Sequence, residues 1–549
     1  MGPTKLQQEI IRNPGNTVVL ASPGSGKTYV MSEKIRAVLA DDRTREYQGV
    51  IAISYTRKAS ANLKQRSLTM GLDSKNSFFG TIDSFCLTQI VLPFGCFVLG
   101  YPDNDLVPIA LRDLANDRQE DFTWIDRIHP DYLDIKQPTW ELLYSLFREG
   151  KILIESMQLL ALHIIKQCPA CREYLKARYV YIFIDEFQDA DKYTNGIFCE
   201  LLAIGLTGVA VGDPNQSIFG YAHKVSKFLL SLKDNPTFKP FSLNENFRCA
   251  IPIINYSNRL IDENSTLLPA TDNRVFLLTI EGAEENVAKV LSDKIPAICE
   301  NLNILDKGKV AILVKNRQTE AIIGDNMSIP HRVIETTELD MDMNLRSRLY
   351  ALLLQLYFDK TISIIGIVDS FIDYDNLSIS KRKQLHKIEK EIRLVNEHDT
   401  ERLVSLFQDV ANVLLPTITD DVPLSKLRNV LNDVHKRNTY MPMDGTEVVI
   451  MTLHKSKGLE FDVVFHLNLN QWEFPGKKIV DGDYNNTTFI DWNQDLDLHY
   501  VGITRAKSYC FLVNSTLRTN SRGETKKAYP SEFLTHNGVN CLRNDCSIK

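Results

Sequence analysis

Short, nearly unbroken apolar runs alternate along this chain with stretches whose apolar residues recur at helical spacing. The alternation occurs in two series. The first contains Thr17–Ala21, Gly49–Tyr55, Phe78–Thr81, Tyr179–Ile184 and Gly208–Asp213. The second contains Val275–Ile280, Lys309–Val314, Glu447–Thr452 and Asp462–Phe465. Runs this apolar predict strands buried on both faces, and the amphipathic stretches between them predict crossover helices. The fold class expected is α/β, with parallel sheets.

Each series is interrupted. Residues 91–176 are rich in charge and aromatics and read mostly as helices, with expected spans Trp140–Phe147, Lys151–Lys166 and Cys171–Arg178. Residues 336–444 are again helical and charge-laced, as in Ser380–Asn396. The expected organisation is therefore one α/β domain over 1–90 and 177–250 with a helical insertion at 91–176. A second spans 251–335 and 445–549, with a helical insertion at 336–444. Further helices are expected from Lys58 to about Met70 and from about Ser84.

Composition narrows the class little. The 549 residues are 44% hydrophobic and 24% charged, as in ordinary globular proteins, and the net charge of −6 argues against a uniformly basic nucleic-acid coat while leaving room for a local basic groove. Ten cysteines without a framework fit a reducing compartment, which predicts a cytoplasmic protein. Cys168 and Cys171 form one CxxC; a structural turn is the expectation, with a metal or redox role the alternative. No apolar run approaches the roughly 18 residues of a membrane span, and no membrane partner is expected.

Chemistry enters at Ser22-Pro23-Gly24-Ser25-Gly26-Lys27-Thr28, between the first apolar run and a stretch with Val30, Ile35, Val38 and Leu39 at helical spacing. Strand, glycine-bearing loop, then Lys-Thr opening a helix is the context of a phosphate-binding loop. Glycines let backbone N–H groups converge on phosphate oxygens, Lys27 can reach the β- and γ-phosphates, and the Thr28 hydroxyl can ligate Mg²⁺. Ser22 stands where a first glycine is usual. The run ending at Ile184 delivers Asp185 and Glu186, a pair suited to holding Mg²⁺ and activating water.

In this order the motifs resemble superfamily 1 DNA helicases of the UvrD/Rep type. They are Ile184-Asp185-Glu186-Phe187-Gln188-Asp189, Val211-Gly212-Asp213-Pro214-Asn215-Gln216, Asn246-Phe247-Arg248, Thr452–Phe461 and Tyr500–Lys507. Tyr55–Ala59 and Gly80–Phe85 resemble DNA-contacting segments of the same family. The resemblance implies two RecA-like P-loop NTPase domains, each with a mainly helical insertion, and the nucleotide, ATP or dATP with Mg²⁺, between them. It implies that Gln7 reads the adenine, that Tyr29 and Phe247 stack on it, and that Glu460 contacts the ribose or phosphate network. Gln216, Arg248 and Arg505 would act at the γ-phosphate. Tyr55, Thr56, Lys58, Thr81, Tyr221 and His454 would line single-stranded DNA. For Tyr221 a half-buried loop aromatic is an equal alternative.

Three positions depart from the family pattern: Tyr29 replaces a stacking Arg, Ala222-His223-Lys224 replaces Arg-Gly-Ala, and Asp83 replaces a His. The second insertion is short, and the compact plan is similar to the helicase-like subunits of Gabija antiphage systems. That narrower likeness implies single-stranded or tailed duplex DNA as substrate and an OLD-family ATPase/TOPRIM nuclease as partner. Two outputs are therefore expected: 3′→5′ translocation with unwinding, in defence or stand-alone DNA repair, or DNA- and nucleotide-responsive control of a nuclease without processive unwinding. A P-loop NTPase unrelated to nucleic acid is the third reading; it leaves the motifs after residue 240 unexplained.

Overall fold

The computed structural model describes residues 2–548 apart from 112–113, 115, 128, 219–225, 343, 369–370, 372–373, 375–376, 417–420, 481–482 and 521. Two all-parallel sheets organise it. The first has six strands in the spatial order Phe78–Gly80, Gly49–Ile53, Tyr179–Ile184, Thr207–Gly212, Thr17–Ala21, Lys239–Leu243. The second has seven, in the order His331–Val333, Val448–Thr452, Val310–Val314, Phe461–His466, Ala506–Ser515, Val275–Ile280, Asn544–Ile548. Among the described residues the apolar runs all become strands, within one or two residues of the expected bounds. The edge strands Lys239–Leu243, His331–Val333 and Asn544–Ile548 were not expected, because their sequences carry too many polar residues to stand out as buried runs.

The strand period of two explains the layering. On the first sheet Val18, Ile51, Ile53, Ile182 and Ile184 face one core. Their neighbours Val19, Val50, Ala52, Phe183 and Val209 face another. The second sheet divides likewise, with Ala311, Leu313, Val449 and Met451 on one side and Val310, Ile312, Val448 and Ile450 on the other. Burial on both faces is why these strands read as unbroken apolar runs rather than as alternation.

The two interruptions differ in how they are cored. Residues 339–440 enclose their own apolar cluster around Leu349, Leu353, Phe407 and Leu427. The helices Gln137–Arg148, Met157–Gln167 and Pro169–Arg178 instead share one continuous cluster with a face of the first sheet. The expected helix over Lys151–Lys166 is corrected here. Lys151–Leu153 is a short strand paired in parallel with Val107–Ile109, and the helix begins only at Met157. Gly150, at φ +84, turns the chain out of the preceding helix, and the Ile152-Leu153-Ile154 run then favours an extended start. The helix expected from about Ser84 begins at Ile82, where the Thr81 hydroxyl accepts a hydrogen bond from the Ser84 N–H (3.3 Å). Cys168 and Cys171 are free, buried thiols in the shared core, and burial pushes the Cys171 thiol up to about 12, as suits a packing residue. Among the described residues no helix is long and apolar enough to cross a membrane.

Candidate nucleotide site and DNA-facing edge

The strand Thr17–Ala21 lies inside its sheet, and the loop leaving its C-terminal end leads into the helix Lys27–Ala40. Gly24 and Gly26 hold φ of +69 and +88, the left-handed region that favours glycine. At Gly24 a second constraint acts: a Cβ would lie 2.5 Å from Arg248 Cβ. The loop is pressed there against the segment that joins the two sheets, and the Phe247 N–H donates to the Gly24 carbonyl (2.9 Å). Gly24→Ala therefore strains the backbone and pushes that segment away. The expected result is at least tenfold weaker nucleotide binding with secondary structure retained, read by titration with a fluorescent ATP analogue and by circular dichroism.

Around this loop lies a cavity of about 420 Å³, within the range of small-molecule sites. Pro23, Gly24, Gly26, Lys27, Thr28 and Tyr29 line one side with Glu186 and Gln216; Phe247, Arg248, Glu460 and Arg505 line the other. The structure thus brings together residues dispersed over more than 480 positions of sequence. Three lining residues carried no expected role: Gly458 and Lys507, within the motifs Thr452–Phe461 and Tyr500–Lys507, and Arg66, outside every motif. Arg66 sits in the last turn of the helix Arg57–Ser67, and nothing in its local pattern signals that this turn overlooks the loop.

Ser22, Ser25, Asp185 and Gln7 do not line the cavity wall. Gln7 lies buried behind the loop, where its Nε2 donates to the Ser25 carbonyl (3.3 Å) and its Oε1 accepts from the Thr4 N–H (3.0 Å). It completes a capping box for the helix Lys5–Arg12 while bracing the loop. Asp185 accepts from the Glu186 N–H (3.0 Å) at the strand end.

Charge in the cavity is arranged rather than balanced pair by pair. Burial pushes the Asp185 carboxyl up, and the adjacent Glu186 pushes it further. Burial acts on Glu186 too, but the Lys27 and Lys457 ammonium groups and donation from Gln188 outweigh it and hold that carboxyl low, hence ionised. Glu186 also occupies left-handed backbone (φ +54, ψ 42), uncommon for a residue with a Cβ and a mark of local strain often found at functional sites. Glu460 joins Arg248 (Nε–Oε2 2.8 Å) to Lys507 (Nζ–Oε1 3.1 Å); those two cations outweigh burial and hold it below the usual carboxylate range.

Lys457 and Arg505 both reach from the second sheet to the first. The Lys457 ammonium pairs with the Asp189 carboxylate and donates to the Gln216 carbonyl (2.7 Å), both charged side chains being buried. Arg505 is 2% exposed; it donates to the carbonyls of Val501 (3.1 Å) and Leu459 (3.2 Å) and to Gln216 Oε1 (3.2 Å). Burial, with Arg248 close by, lowers its pKa to about 10, so it remains charged at neutral pH.

The donor set fits a magnesium–nucleotide substrate. A glycine cradle at a helix N-terminus, a lysine, and arginines from the facing sheet match a polyphosphate. Among the described residues no cluster of three acidic, His or Cys side chains could hold a metal alone. A hydroxyl and a strand-end carboxylate, Thr28 and Asp185, suit Mg²⁺, which relies on substrate phosphates for other ligands.

The model of the UvrD/REP helicase N-terminal domain matches residues 4–129 and 141–237, and that of the UvrD-like helicase C-terminal domain matches 352–516. Together the two matches take in the cavity's lining residues other than Phe247 and Arg248. The chain belongs to the UvrD-like DNA helicases. The helicase is 27% identical over 539 residues to the Gabija protein GajB of Bacillus cereus (strain VD045), an alignment covering 94% of this chain and 97% of that protein. It is 24% identical to a probable DNA helicase II homolog of Mycoplasma pneumoniae, over 95% of this chain and 84% of that one. With ATP-dependent DNA helicase PcrA of Staphylococcus aureus it shares 21% identity over 100% of this chain and 87% of PcrA. Its two parallel sheets are the RecA-like pair that the family implies.

Of the residues expected to line DNA, three follow neighbouring strands of the first sheet and His454 follows a strand of the second. Tyr55 and Thr56 follow the strand Gly49–Ile53, and Thr81 follows its neighbour Phe78–Gly80, whose Gly80 pairs with Ile53. Tyr55 is exposed. The Thr56 hydroxyl caps the helix Arg57–Ser67 by accepting from the Ala59 N–H (3.1 Å). His454 follows the strand Val448–Thr452; burial and then the Lys315 ammonium lower its pKa, favouring neutral imidazole. Tyr221 and the Lys58 side chain lie outside the described residues. Asp83, which departs from the family pattern, accepts from Gln158 Nε2 (2.8 Å) on the helix Met157–Gln167, and so ties this edge of the first sheet to the first insertion.

Proposed function

We propose that this helicase couples hydrolysis of ATP or dATP, stimulated by single-stranded DNA, to 3′→5′ movement, as a cytoplasmic subunit of an antiphage defence complex. The observation that carries the motor half is the cavity shared by Lys27 and Glu186 on one sheet and Arg505 on the other. In this reading Lys27 binds the β- and γ-phosphates, Thr28 and Asp185 hold Mg²⁺, and Tyr29 and Phe247 clasp the base, with Ser22, Pro23, Gly24, Ser25 and Gly26 shaping the phosphate cradle. Mg²⁺, when bound, would offset the negative charge of the phosphates. Glu186 accepts the proton of the attacking water as the water oxygen bonds to the γ-phosphorus. The bond from that phosphorus to the β-phosphate oxygen breaks, leaving the nucleoside diphosphate and phosphate. Arg248 and Arg505 stabilise the charge spread over the transferring group, and Gln216 reports its presence. Glu460 contacts the ribose or the phosphate network. Gln7 exchanges its bond to Ser25 for the adenine edge.

We further propose the domain division 1–90 with 177–250, 91–176, 251–335 with 445–549, and 336–444. Closure of the two sheet-bearing domains over the nucleotide would move Tyr55, Thr56, Lys58, Thr81, Tyr221 and His454 along the strand.

The defence assignment rests on the nearly end-to-end match with GajB, which spans 97% of that protein. The partner inferred is an OLD-family ATPase/TOPRIM nuclease. The second reading, a DNA-responsive regulator of that nuclease without processive unwinding, is favoured by the three departures from the family pattern, at Tyr29, Asp83 and Ala222-His223-Lys224. Strand displacement on a 3′-tailed duplex separates the two: ATP-dependent displacement by the isolated chain supports the motor, whereas DNA-stimulated hydrolysis without displacement supports the regulator. Affinity purification from the native host tests the partner; absence of a nuclease from the recovered complex contradicts the defence assignment.

A further inference from the structure

Between the base and the sensor of the γ-phosphate lies a buried glutamine that neither role uses. Gln188 follows Glu186 by two residues and is 0% exposed. Its Nε2 donates to Glu186 Oε2, and its Oε1 accepts from the Asp213 N–H (3.0 Å). Asp213 in turn accepts through Oδ2 from Gln216 Nε2 (2.8 Å), and Gln216 Oε1 accepts from Arg505 Nη2 (3.2 Å). An unbroken series of side-chain and backbone hydrogen bonds therefore runs from the arginine on the second sheet to the carboxylate on the first. The Ser217 hydroxyl adds a bond to the Gln188 carbonyl (3.3 Å).

The neighbouring strand is shaped to admit this amide. Gly212 ends the strand Thr207–Gly212, and a Cβ there would collide with Gln188 Oε1 and lie 2.8 Å from Leu229 Cδ2. The same glycine has no positive φ, so its missing side chain answers to the space and not to backbone conformation. Glu186 needs such a restraint. Its backbone is strained, and an ionised carboxylate free to rotate would pair with Lys27 or Lys457 rather than face a water.

We infer that Gln188 is a positioning residue that sets the orientation of the Glu186 carboxylate and links it to the loop bearing Gln216. A shift of Arg505 or Gln216 on nucleotide binding then reaches the base through Asp213 and Gln188. This rests on the reading of Glu186 as general base.

The test compares three variants of the full chain with wild type and with Glu186→Gln. Gln188→Met removes donor and acceptor at similar size. Gln188→Glu keeps the acceptor for the Asp213 N–H and removes the donor. Gly212→Ala displaces the amide while leaving both Gln188 and Glu186 in place. Each is expected to lower kcat for ATP hydrolysis by about 10- to 100-fold, the scale of an ångström-level misplacement of a catalytic group, with the Kd for ATPγS within about twofold of wild type. A change in KM alone, or kcat within twofold of wild type in any variant that retains wild-type circular dichroism, overturns the inference. If Glu186→Gln itself hydrolyses ATP at the wild-type rate, the base assignment fails instead, so the two failures are distinguishable.

Discussion

Lys27→Ala is expected to lower ATP hydrolysis at least a thousandfold while the protein stays folded. Lys27 opens the helix Lys27–Ala40, and its ammonium donates to the Ala21 carbonyl (3.4 Å) at the strand end, inside the cavity. It is also the foremost positive influence on Glu186 and acts on Asp185 and Asp213. Three carboxylates thus lose a counter-charge together with the substrate's phosphates. A thousandfold loss corresponds to about 4 kcal/mol of transition-state stabilisation, reasonable for a cation bound to the transferring phosphates. The fold is spared because alanine is the best helix former and the lysine packs into no apolar cluster. Phosphate-release kinetics with a thermal melt checks both halves. Turnover within tenfold of wild type in a folded variant would displace the site from this loop.

Arg505→Ala is expected to lower kcat by about a thousandfold with nucleotide Kd changed only a few-fold, the effect of removing an arginine that acts on the transferring phosphoryl group. Its location explains why. Arg505 follows the helix Trp492–Thr504 and is held by the carbonyls of Val501 and Leu459, so its guanidinium is aimed before any nucleotide arrives. Among the described residues only one of its hydrogen bonds, to Gln216, reaches the first sheet. Arg505→Lys is expected to rescue little, because an ammonium cannot satisfy both carbonyls and Gln216 from one fork. The alanine variant also strips the donor from the Leu459 carbonyl and from Gln216 Oε1, for a stability cost of about 1–3 kcal/mol. Fluorescent-nucleotide titration beside phosphate release checks the split; a rise in KM with kcat unchanged would assign Arg505 to ground-state binding.

What the sequence revealed, and what it did not, follows from the range of each interaction. The loop at Ser22–Thr28, the Asp185-Glu186 strand end and the arginines at 248 and 505 are legible because short motifs encode their local geometry, and strand burial on both faces encodes the sheets. The places of Arg66 and Lys507 in the cavity were not, although Lys507 closes a legible motif, since reaching the cavity depends on how a helix end and a strand start are aimed across the sheet tops. The double duty of Gln7, which caps a helix and braces Ser25, depends on the loop passing within reach of Nε2. Asp83 reads as a lost DNA contact in one dimension and as a tie to Gln158 in three. The Lys457–Asp189 pair joins two motifs that were each legible, but their meeting required the docking of one sheet on the other.

The central claim is that hydrolysis here is DNA-dependent chemistry performed between two sheets. Its most direct test is the rate of ATP hydrolysis by the wild-type chain with and without a single-stranded oligonucleotide. The account predicts at least tenfold stimulation at saturating DNA. A rate indifferent to DNA would contradict it.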